Sequence, residues 1–535
     1  MQIGVIIAVE IIYIILAIVL SLRIINLVQL EGYKLVNSKK MKNIRLKLYG
    51  GAICISLCGG IFTFLAVSLG NYYLQLIVQG LYAVVLLVSL ADERDKCAHQ
   101  PLVYTPRAKR LIVAFGVLTA VFMLLLGLFG HLIDIYGIKL TFTLLPLCFV
   151  LMPEIVALAI AVNAPMERKI AKKYIKKCKF ALNNGNLIKI GITGSFAKTT
   201  VKNILTTILN VKYKAYCTPS NYNTPLGICR AVNDLPEDCQ VFVAEMGARK
   251  VGDIKELCDI VKPTYGIITG VGSQHLGAFK SRENIYKTKK ELADFLQTVD
   301  GEIVFNAENE YTRKMYDEYK GENKSAISGC EFLSQSGDKV WVEDVLCDSK
   351  GLKFILHIGG ESASCASKLI GRHNLTNILM CVQMAIKLGL NIVQIAQGIE
   401  NIAPIEHRLQ TIELPSGITI IDDSYNSNES GAKLALQTLN MFSGRKIVAT
   451  QGIVEMGAEQ SRVNFELGES IAKCADIAIL IGVNREDIRL GMLSGNFCDK
   501  NIYLVEHLDN AKELFSAMLR KGDVLLLQND LPDNY

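Results

Sequence analysis

The stretch NLIKIGITGSFAKTTVKNIL, residues 186–205, decides the fold of most of this chain. LIKIGITG is a short apolar run of strand length, and KTTVKNILTTIL (198–209) carries the apolar spacing of a helix. Between them the chain reads G-x-x-G-x-x-A-K-T-T. At such a strand–loop–helix junction, backbone N–H groups of the loop and the first helical turn point at phosphate oxygens. Gly191, Gly194 and Ser195 belong to the loop. Lys198 is placed to neutralise the β- and γ-phosphates, Thr199 to hold Mg²⁺ through its hydroxyl, and Thr200 to follow in the same turn. Ala197 stands where the pattern has glycine, at a point where φ turns positive or the backbone nears the phosphate. The added methyl group is expected to be tolerated. The stretch therefore predicts an ATP site on an α/β scaffold.

The surroundings of that loop are unusual. The chain has 535 residues, enough for three or four units. Half of its residues are hydrophobic, and its mean hydropathy is +0.30. The excess lies in the first 165 residues. Five apolar spans of bilayer-crossing length are expected there, at 3–22, 48–68, 72–91, 110–130 and 140–162. The first has neither a basic start nor a small-residue cleavage site, so it does not read as a signal peptide. Lys34, Lys39, Lys40, Lys42, Arg45 and Lys47 follow span one, and Arg94, Lys96, Arg107, Lys109 and Arg110 follow span three. Arg168, Lys169, Lys172, Lys173, Lys176, Lys177 and Lys179 follow span five, whereas the loops after spans two and four hold only Lys139. By the positive-inside rule the N-terminus is expected outside the cell membrane and everything after span five in the cytoplasm. The net charge of +6 thus reflects topology, and no nucleic-acid partner is expected. Glu10 and Glu154, inside spans, read as packing or hydration features. The run 168–179 reads as an anchor that can also meet anionic lipid head groups. Fifteen cysteines form no CxxC pair, which argues for free thiols in a reducing cytoplasm and against a zinc site.

After the loop come, in order, TPSNYNTPLGICRAV (218–232), VFVAEMGARKVGDIKELCDIVKPTYGIITGVGSQHLGAFKS (241–281), NIYKTKKEL (284–292), VFNAENE (304–310), GRHNLTNILMCVQMAIKLGL (371–390), EHRLQTIE (406–413) and IIDDSYNSN (420–428). With the loop, these motifs resemble the Mur ligase family, above all its branch that adds D-alanyl-D-alanine to a muramoyl-tripeptide. The resemblance covers about 186–480. It implies an ATP-dependent, ADP-forming amide-bond ligase in which a carboxylate becomes an acyl phosphate and an amine attacks it. Cations must screen the charge that gathers there. Glu245 and His275 end strands, where open α/β sheets build sites, and by resemblance they hold Mg²⁺. Lys289 matches a lysine that is carbamylated in the family, and a carbamate would be an anionic metal-organising group. Asn306, His373, Asn374 and Asn377 match positions around the adenine. Arg408 matches an arginine that reaches the phosphates, and Asp423 a C-terminal residue facing the nucleotide.

From 409 the chain alternates strand and helix as a doubly wound parallel sheet, without a G-x-G-x-x-G dinucleotide fingerprint. The expected order is a transmembrane region at 1–165, a basic juxtamembrane linker at 166–185, a central P-loop domain at 186–408 and a C-terminal Rossmann-like domain at 409–535, with a hinge near 404–410. Three features depart from the family. Membrane spans stand where its soluble UDP-sugar domain should be. TQGIVEMG (450–457) replaces GDMLELG, and the chain ends LLLQNDLPDNY (525–535) without a basic Lys-Gly-Ser-Arg stretch. The resemblance thus implies a membrane-anchored ligase of cell-wall precursor synthesis, with a muramoyl-peptide acceptor that is UDP- or lipid-linked. A ligase for another envelope peptide or a polyglutamate-like polymer is the alternative, and a degenerate ligase serving as scaffold or nucleotide sensor is a third.

Overall fold

The computed structural model describes residues 2–30, 32–33, 101–133, 149, 151–183, 185–272, 276–328, 331–334, 340–425, 428–454 and 456–528, with isolated positions from 58 to 85. The chain divides into two compact units, 1–172 with 532–535, and 173–531.

The first unit is helical. Helices α1 (Gln2–Leu30), α2 (Pro106–Ile133) and the first part of α3 (Met152–Asn183) share one apolar core. Tyr13, Leu20, Ile24 and Ile25 of α1 are buried there with Leu111, Phe115 and Met123 of α2 and with Met152 and Val156 of α3. Other faces stay apolar and exposed: Ile11, Ile12, Ile15 and Val19 on α1, and Val113, Val117, Val121, Leu124 and Leu125 on α2. Two stretches, Ile11–Leu30 and Pro106–Leu126, are long and apolar enough to cross a bilayer. In the last turn of α1, Gln29 pins the approach to α2, accepting from Val103 N at 2.9 Å and donating to Val103 O at 2.8 Å.

The expected spans at 3–22 and 110–130 are thus helices, each longer than expected. Those at 48–68 and 72–91 fall almost wholly outside the described residues, as does the start of the one at 140–162. From Met152 that last stretch is helical and does not stop at 162. The basic segment 166–183, expected as a linker, continues the same helix. It contains no glycine or proline after Pro165, and Lys, Arg and Ala are good helix formers.

The second unit holds two sheets. The larger has ten strands in the order β10-β9-β8-β7-β6-β5-β4-β1-β3-β2. These are β1 (Ile188–Thr193), β2 (Ala215–Cys217), β3 (Val241–Glu245), β4 (Tyr265–Ile268), β5 (Glu302–Asn306), β6 (Lys324–Ser328), β7 (Glu331–Ser334), β8 (Val340–Asp348), β9 (Gly351–Ile358) and β10 (Glu361–Ser367). β1 to β6 pair in parallel, and β6 to β10 continue as an antiparallel arm. The parallel strands are near-continuous apolar runs because helices cover both faces. On one face lies α4 (Lys198–Leu209), whose buried Val201, Ile204, Leu205, Ile208 and Leu209 sit at helical spacing; each burial contributes roughly 1.5–3 kcal/mol. The other face is covered by α5 (Pro225–Asn233), α6 (Asp253–Val261), α7 (Arg282–Thr298) and α8 (Glu310–Glu318). Helices α9 (His373–Lys387) and α10 (Ile392–Glu400) follow the arm, and α9 joins α4 in the first of these cores.

The smaller sheet runs β11-β12-β16-β13-β14-β15. It comprises β11 (Gln410–Glu413), β12 (Thr419–Asp423), β13 (Lys446–Thr450), β14 (Ile477–Ile481), β15 (Ile502–Val505) and β16 (Val524–Gln528). Between them lie α11 (Glu429–Leu439), α12 (Gln460–Ala472), α13 (Arg485–Ser494) and α14 (Leu508–Met518). The expected parallel doubly wound sheet is present, with one change. Its edge strand β11 is antiparallel, because a short turn at Leu414–Gly417 folds it back onto β12.

Candidate active site

The loop between β1 and α4 is built by close packing. Gly194 has φ 155°, and a Cβ there would lie 2.0 Å from Thr269 Oγ1. Gly270 has φ 156°, and a Cβ there would lie 2.1 Å from the Phe196 ring. Thr269 Oγ1 donates to Phe196 O at 2.5 Å, and Ser195 N donates to Gly270 O at 2.8 Å. Held in this way, Ala197 adopts φ 57° and ψ 3°, the left-handed conformation that glycine takes without cost. The alanine thus follows the path of the glycine it replaces, at an expense of about 1 kcal/mol. Ala197 makes no side-chain cap to α4. The first-turn N–H groups of α4 therefore remain available to an anionic ligand.

Glu245, at the end of β3, is the centre of the site. Thr199 Oγ1 donates to its Oε2 at 3.0 Å. Lys202 Nζ lies 3.2 Å from the same oxygen and donates to Ser220 O at 2.8 Å. Asn223 Nδ2 donates to Oε1 at 3.0 Å, and the Glu245 backbone N donates to Thr218 Oγ1 at 3.1 Å. Both partners of the ion pair are sealed, Lys202 at 1% exposure and Glu245 at 2%. Burial pushes the Glu245 carboxyl up, but Lys202 and Lys198, with the bonds from Asn223 and Thr199, outweigh it and hold the group below the usual carboxylate range. Lys198 is half-buried, with Nζ 3.4 Å from Ser195 O. Its ammonium is pulled down by burial, supported by Glu245 and opposed by Arg408.

Lys289 of α7 is 3% exposed, and its ammonium makes no hydrogen bond or ion pair among the described residues. Burial, then the neighbouring Lys198, pushes its pKa down to about 7, against the pull of Asp253, Glu291 and Glu245. His275, the other expected metal ligand, lies outside the described residues. The Thr199 hydroxyl and the Glu245 carboxylate are hard oxygen donors beside the loop. That fits Mg²⁺, which is held by one or two carboxylates, phosphate oxygens and water.

The expected adenine positions are occupied by protein contacts. Asn306 Nδ2 donates to Thr269 O at 2.8 Å, and its Oδ1 accepts from Glu308 N at 3.1 Å. Asn377 Nδ2 donates to Asn374 Oδ1 at 3.0 Å, and Asn374 Nδ2 to Ile370 O at 2.8 Å. These amides brace β5 and the start of α9, which pack together. His373 opens α9, where burial lowers its pKa to about 4 and keeps the ring neutral.

Arg408 is set between two left-handed residues, His407 at φ 59° and Leu409 at φ 50°. Its guanidinium stacks over the Tyr425 ring at 4.7 Å, and it feels Asp423 and Glu245 electrostatically. Burial raises the Asp423 pKa to about 7, with Arg408 opposing. His407 Nδ1 is 2.7 Å from Asp422 Oδ2, and Ser424 Oγ donates to Asp422 Oδ1 at 2.6 Å. A cleft of about 220 Å³ lies beside the loop, lined by Ser195, Phe196, Arg282, Tyr311, Asn428 and Met456.

The structure thus gathers Lys198, Thr199, Glu245, Lys289, Arg408 and Asp423 around one region. Sequence reasoning missed Lys202, Asn223 and Tyr425. Lys202 lies one turn after Lys198 on α4, and only the structure shows that it is buried against an acid. Asn223 lies in the segment TPSNYNTPLGICRAV (218–232), where its amide carries no local signal of a carboxylate partner.

Residues 192–385 match the Mur ligase middle domain, and residues 407–528 match the Mur ligase glutamate ligase domain. Together these cover more than half of the chain, which belongs to the Mur ligase family of ATP-dependent, ADP-forming amide-bond ligases. Among curated relatives, UDP-N-acetylmuramoyl-tripeptide--D-alanyl-D-alanine ligase of Mycobacterium tuberculosis is 28% identical over 370 residues, covering 64% of this chain and 70% of the relative. The enzyme of that name from Escherichia coli is 24% identical over 383 residues, covering 68% and 82%. Among solved structures, MurF from Acinetobacter baumannii shares the fold with a TM-score of 0.60 at 23% identity, covering 68% of this chain and 78% of that one. MurF from Thermotoga maritima in complex with ADP gives 0.57 at 24% identity, covering 67% and 80%.

Proposed function

We propose that this protein is a membrane-anchored ligase of cell-wall precursor synthesis that joins D-alanyl-D-alanine, or a similar amine, to the carboxylate of a muramoyl-peptide. The observation that carries the reading is the Thr199–Glu245 contact at the mouth of the β1–α4 loop, with Lys198, Lys289 and Arg408 around it. The loop N–H groups and Lys198 bind the ATP phosphates, and Thr199 and Glu245 hold Mg²⁺, joined by His275. The metal supplies charge neutralisation between phosphate and carboxylate. The acceptor carboxylate attacks the γ-phosphate to give an acyl phosphate and ADP. The amine then displaces phosphate and forms the amide. Arg408 brings positive charge from the junction at 404–410, where the C-terminal domain closes over the nucleotide. Asn306, His373, Asn374 and Asn377 shape the adenine pocket, and Asp423 faces the nucleotide from β12.

Lys289 is read as carbamylated. An amine titrating near pH 7 is largely free base at cytoplasmic pH, the form that adds CO₂. The carbamate is anionic, so it removes the repulsion between Lys289 and Lys198 and gives the site another oxygen donor.

The membrane reading is supported by the two long apolar helices and their exposed apolar faces in the unit that precedes the ligase domains. The five-span topology, with the N-terminus outside, remains part of this proposal. A lipid-linked acceptor follows from it, because the anchor stands where the family has a UDP-sugar domain. The test is product formation by the full-length protein in detergent with ATP, Mg²⁺ and D-alanyl-D-alanine. UDP-N-acetylmuramoyl-tripeptide and its lipid-carried counterpart are offered separately, and products are read by mass spectrometry. Gain of the dipeptide mass on either acceptor is expected. No gain on either, with ATP still bound, overturns the assignment.

A further inference from the structure

Arg408 stands on a segment of unusual backbone. Ile405 is anchored in the core shared by α4 and α9, and Leu409 in the core of the smaller sheet. A few residues therefore carry the chain from one core to the other. Within that step His407 and Leu409 both take left-handed φ values, 59° and 50°. Histidine visits this region on occasion, whereas a bulky leucine does so only under constraint. Such strain persists where the surroundings over-determine it, and it gathers at functional sites.

The constraint comes from the Asp422 carboxylate, buried near the end of β12. Its Oδ1 accepts from Ser424 N at 3.0 Å and from Ser424 Oγ at 2.6 Å. Its Oδ2 lies 2.7 Å from His407 Nδ1. Tyr425 N in turn donates to His407 O at 3.3 Å. One carboxylate thus ties down the residue before Arg408 and the turn that leads to Tyr425, the ring on which the guanidinium stacks at 4.7 Å. Asp423, on the other face of β12, is met by the Leu409 amide. The Arg408 guanidinium itself makes no hydrogen bond or ion pair among the described residues. A half-buried cation with open donors, on a backbone held from both sides, is a group set in place for a ligand.

We infer that Asp422 positions Arg408: its two oxygens fix the backbone on either side of the Arg408–Tyr425 stack, so that the guanidinium is aimed before the nucleotide arrives. That Arg408 meets phosphate oxygens rests on the function proposed above; that Asp422 holds Arg408 does not. Donors preorganised in this way need no rearrangement when charge develops. Asp422 acts only through its neighbours and is a positioning residue.

The test has two readouts on full-length protein in detergent. The first is phenylglyoxal modification of Arg408 without nucleotide, followed by mass spectrometry, with the paired Arg445 and Arg489 as internal controls. Asp422→Ala is expected to speed modification of Arg408 about threefold to tenfold, as the held conformer loses population, and to leave the controls unchanged. Asp422→Asn is expected to stay within about twofold of wild type, because its oxygen still accepts from Ser424 and its amide can donate to a neutral His407 ring. The second readout is steady-state ligation. Asp422→Ala is expected to lower kcat about tenfold and to change the KM for ATP less than about twofold, since a misaimed donor weakens the transition state more than ground-state binding. On an Arg408→Lys background it should lower kcat by less than about twofold further. Should Asp422→Ala fail to fold, His407→Ala removes the same contact from its exposed end and is read in the same way. Unchanged modification of Arg408 in the alanine variants, or kcat losses that simply multiply, overturns the inference. If the wild-type protein makes no product on any acceptor, the ligase reading falls, and the modification rates alone decide the role of Asp422.

Discussion

The Lys202 ammonium lies 3.2 Å from the Glu245 carboxylate, and neither reaches solvent. Forty-odd residues separate the two in sequence, yet the pair sets the charge state of the expected metal ligand. Removing one partner of such a pair leaves an uncompensated buried charge, which typically costs about 3–5 kcal/mol. Lys202→Met is therefore expected to lower unfolding stability by about that much in urea denaturation, whereas Lys202→Met with Glu245→Gln recovers most of the loss. A double variant no more stable than the single one would show that packing, and not charge, dominates the contact.

The conformation of Ala197 makes a second expectation concrete. Glycine at φ 57° relieves the left-handed strain but adds freedom to the unfolded chain. Ala197→Gly is expected to raise stability by up to about 1 kcal/mol and to keep ATP binding, measured by calorimetry. Gly194→Ala should act in the opposite direction, because its Cβ would meet Thr269 Oγ1 at 2.0 Å. The loop would open, and nucleotide affinity would fall by at least about tenfold, or 1.4 kcal/mol.

Lys289 sets a dependence on pH and CO₂. Its value near 7 lies below the 10.5 of a free lysine, so the folded state binds fewer protons than the unfolded state between those values. For the unmodified side chain, the cost to stability is full below pH 7 and fades as pH rises toward 10.5. Below about pH 7 the protonated amine cannot add CO₂. Turnover is expected to rise through pH 7 and to increase when bicarbonate is restored to degassed protein. Lys289→Ala should be inactive and partly rescued by short carboxylic acids. Activity that ignores bicarbonate at pH 7 would argue for an unmodified lysine.

The Arg408–Tyr425 stack at 4.7 Å yields a fourth expectation. A lysine cannot reproduce a stacked, planar guanidinium. Arg408→Lys is expected to lower kcat by about 10²-fold, in the range seen when one transition-state donor is lost. ATP binding should change much less. Tyr425→Leu should give a smaller loss in the same direction, read from steady-state kinetics. Equal losses in kcat and ATP affinity would instead place Arg408 in ground-state binding.

Much of this molecule was legible as sequence because its signals are local. The β1–loop–α4 unit follows from a short apolar run, a glycine-bearing turn and helical apolar spacing, all within twenty residues. After β11, strand and helix alternate from β12 to β16 as the sequence leads one to expect, since each element alternates apolar face and turn on a short repeat. The ordered motifs brought Lys198, Thr199, Glu245 and Lys289 to one expected site. Other features needed the tertiary structure. The loop pattern marks position 197 as one where φ can turn positive, but the contacts that hold Ala197 there come from Thr269 and Gly270, which follow β4, the strand beside β1 in the sheet. The antiparallel arm β6–β10 and the reversed edge strand β11 arise from pairing between segments whose own patterns do not state a partner. The basic segment reads as a linker by charge, yet it is helical because Ile175, Cys178 and Leu182 find a core to enter. Sequence periodicity thus determined which elements form. Non-local packing decided which strained backbone, buried ion pair and exposed basic face the finished protein keeps, because those depend on neighbours that only folding brings into contact.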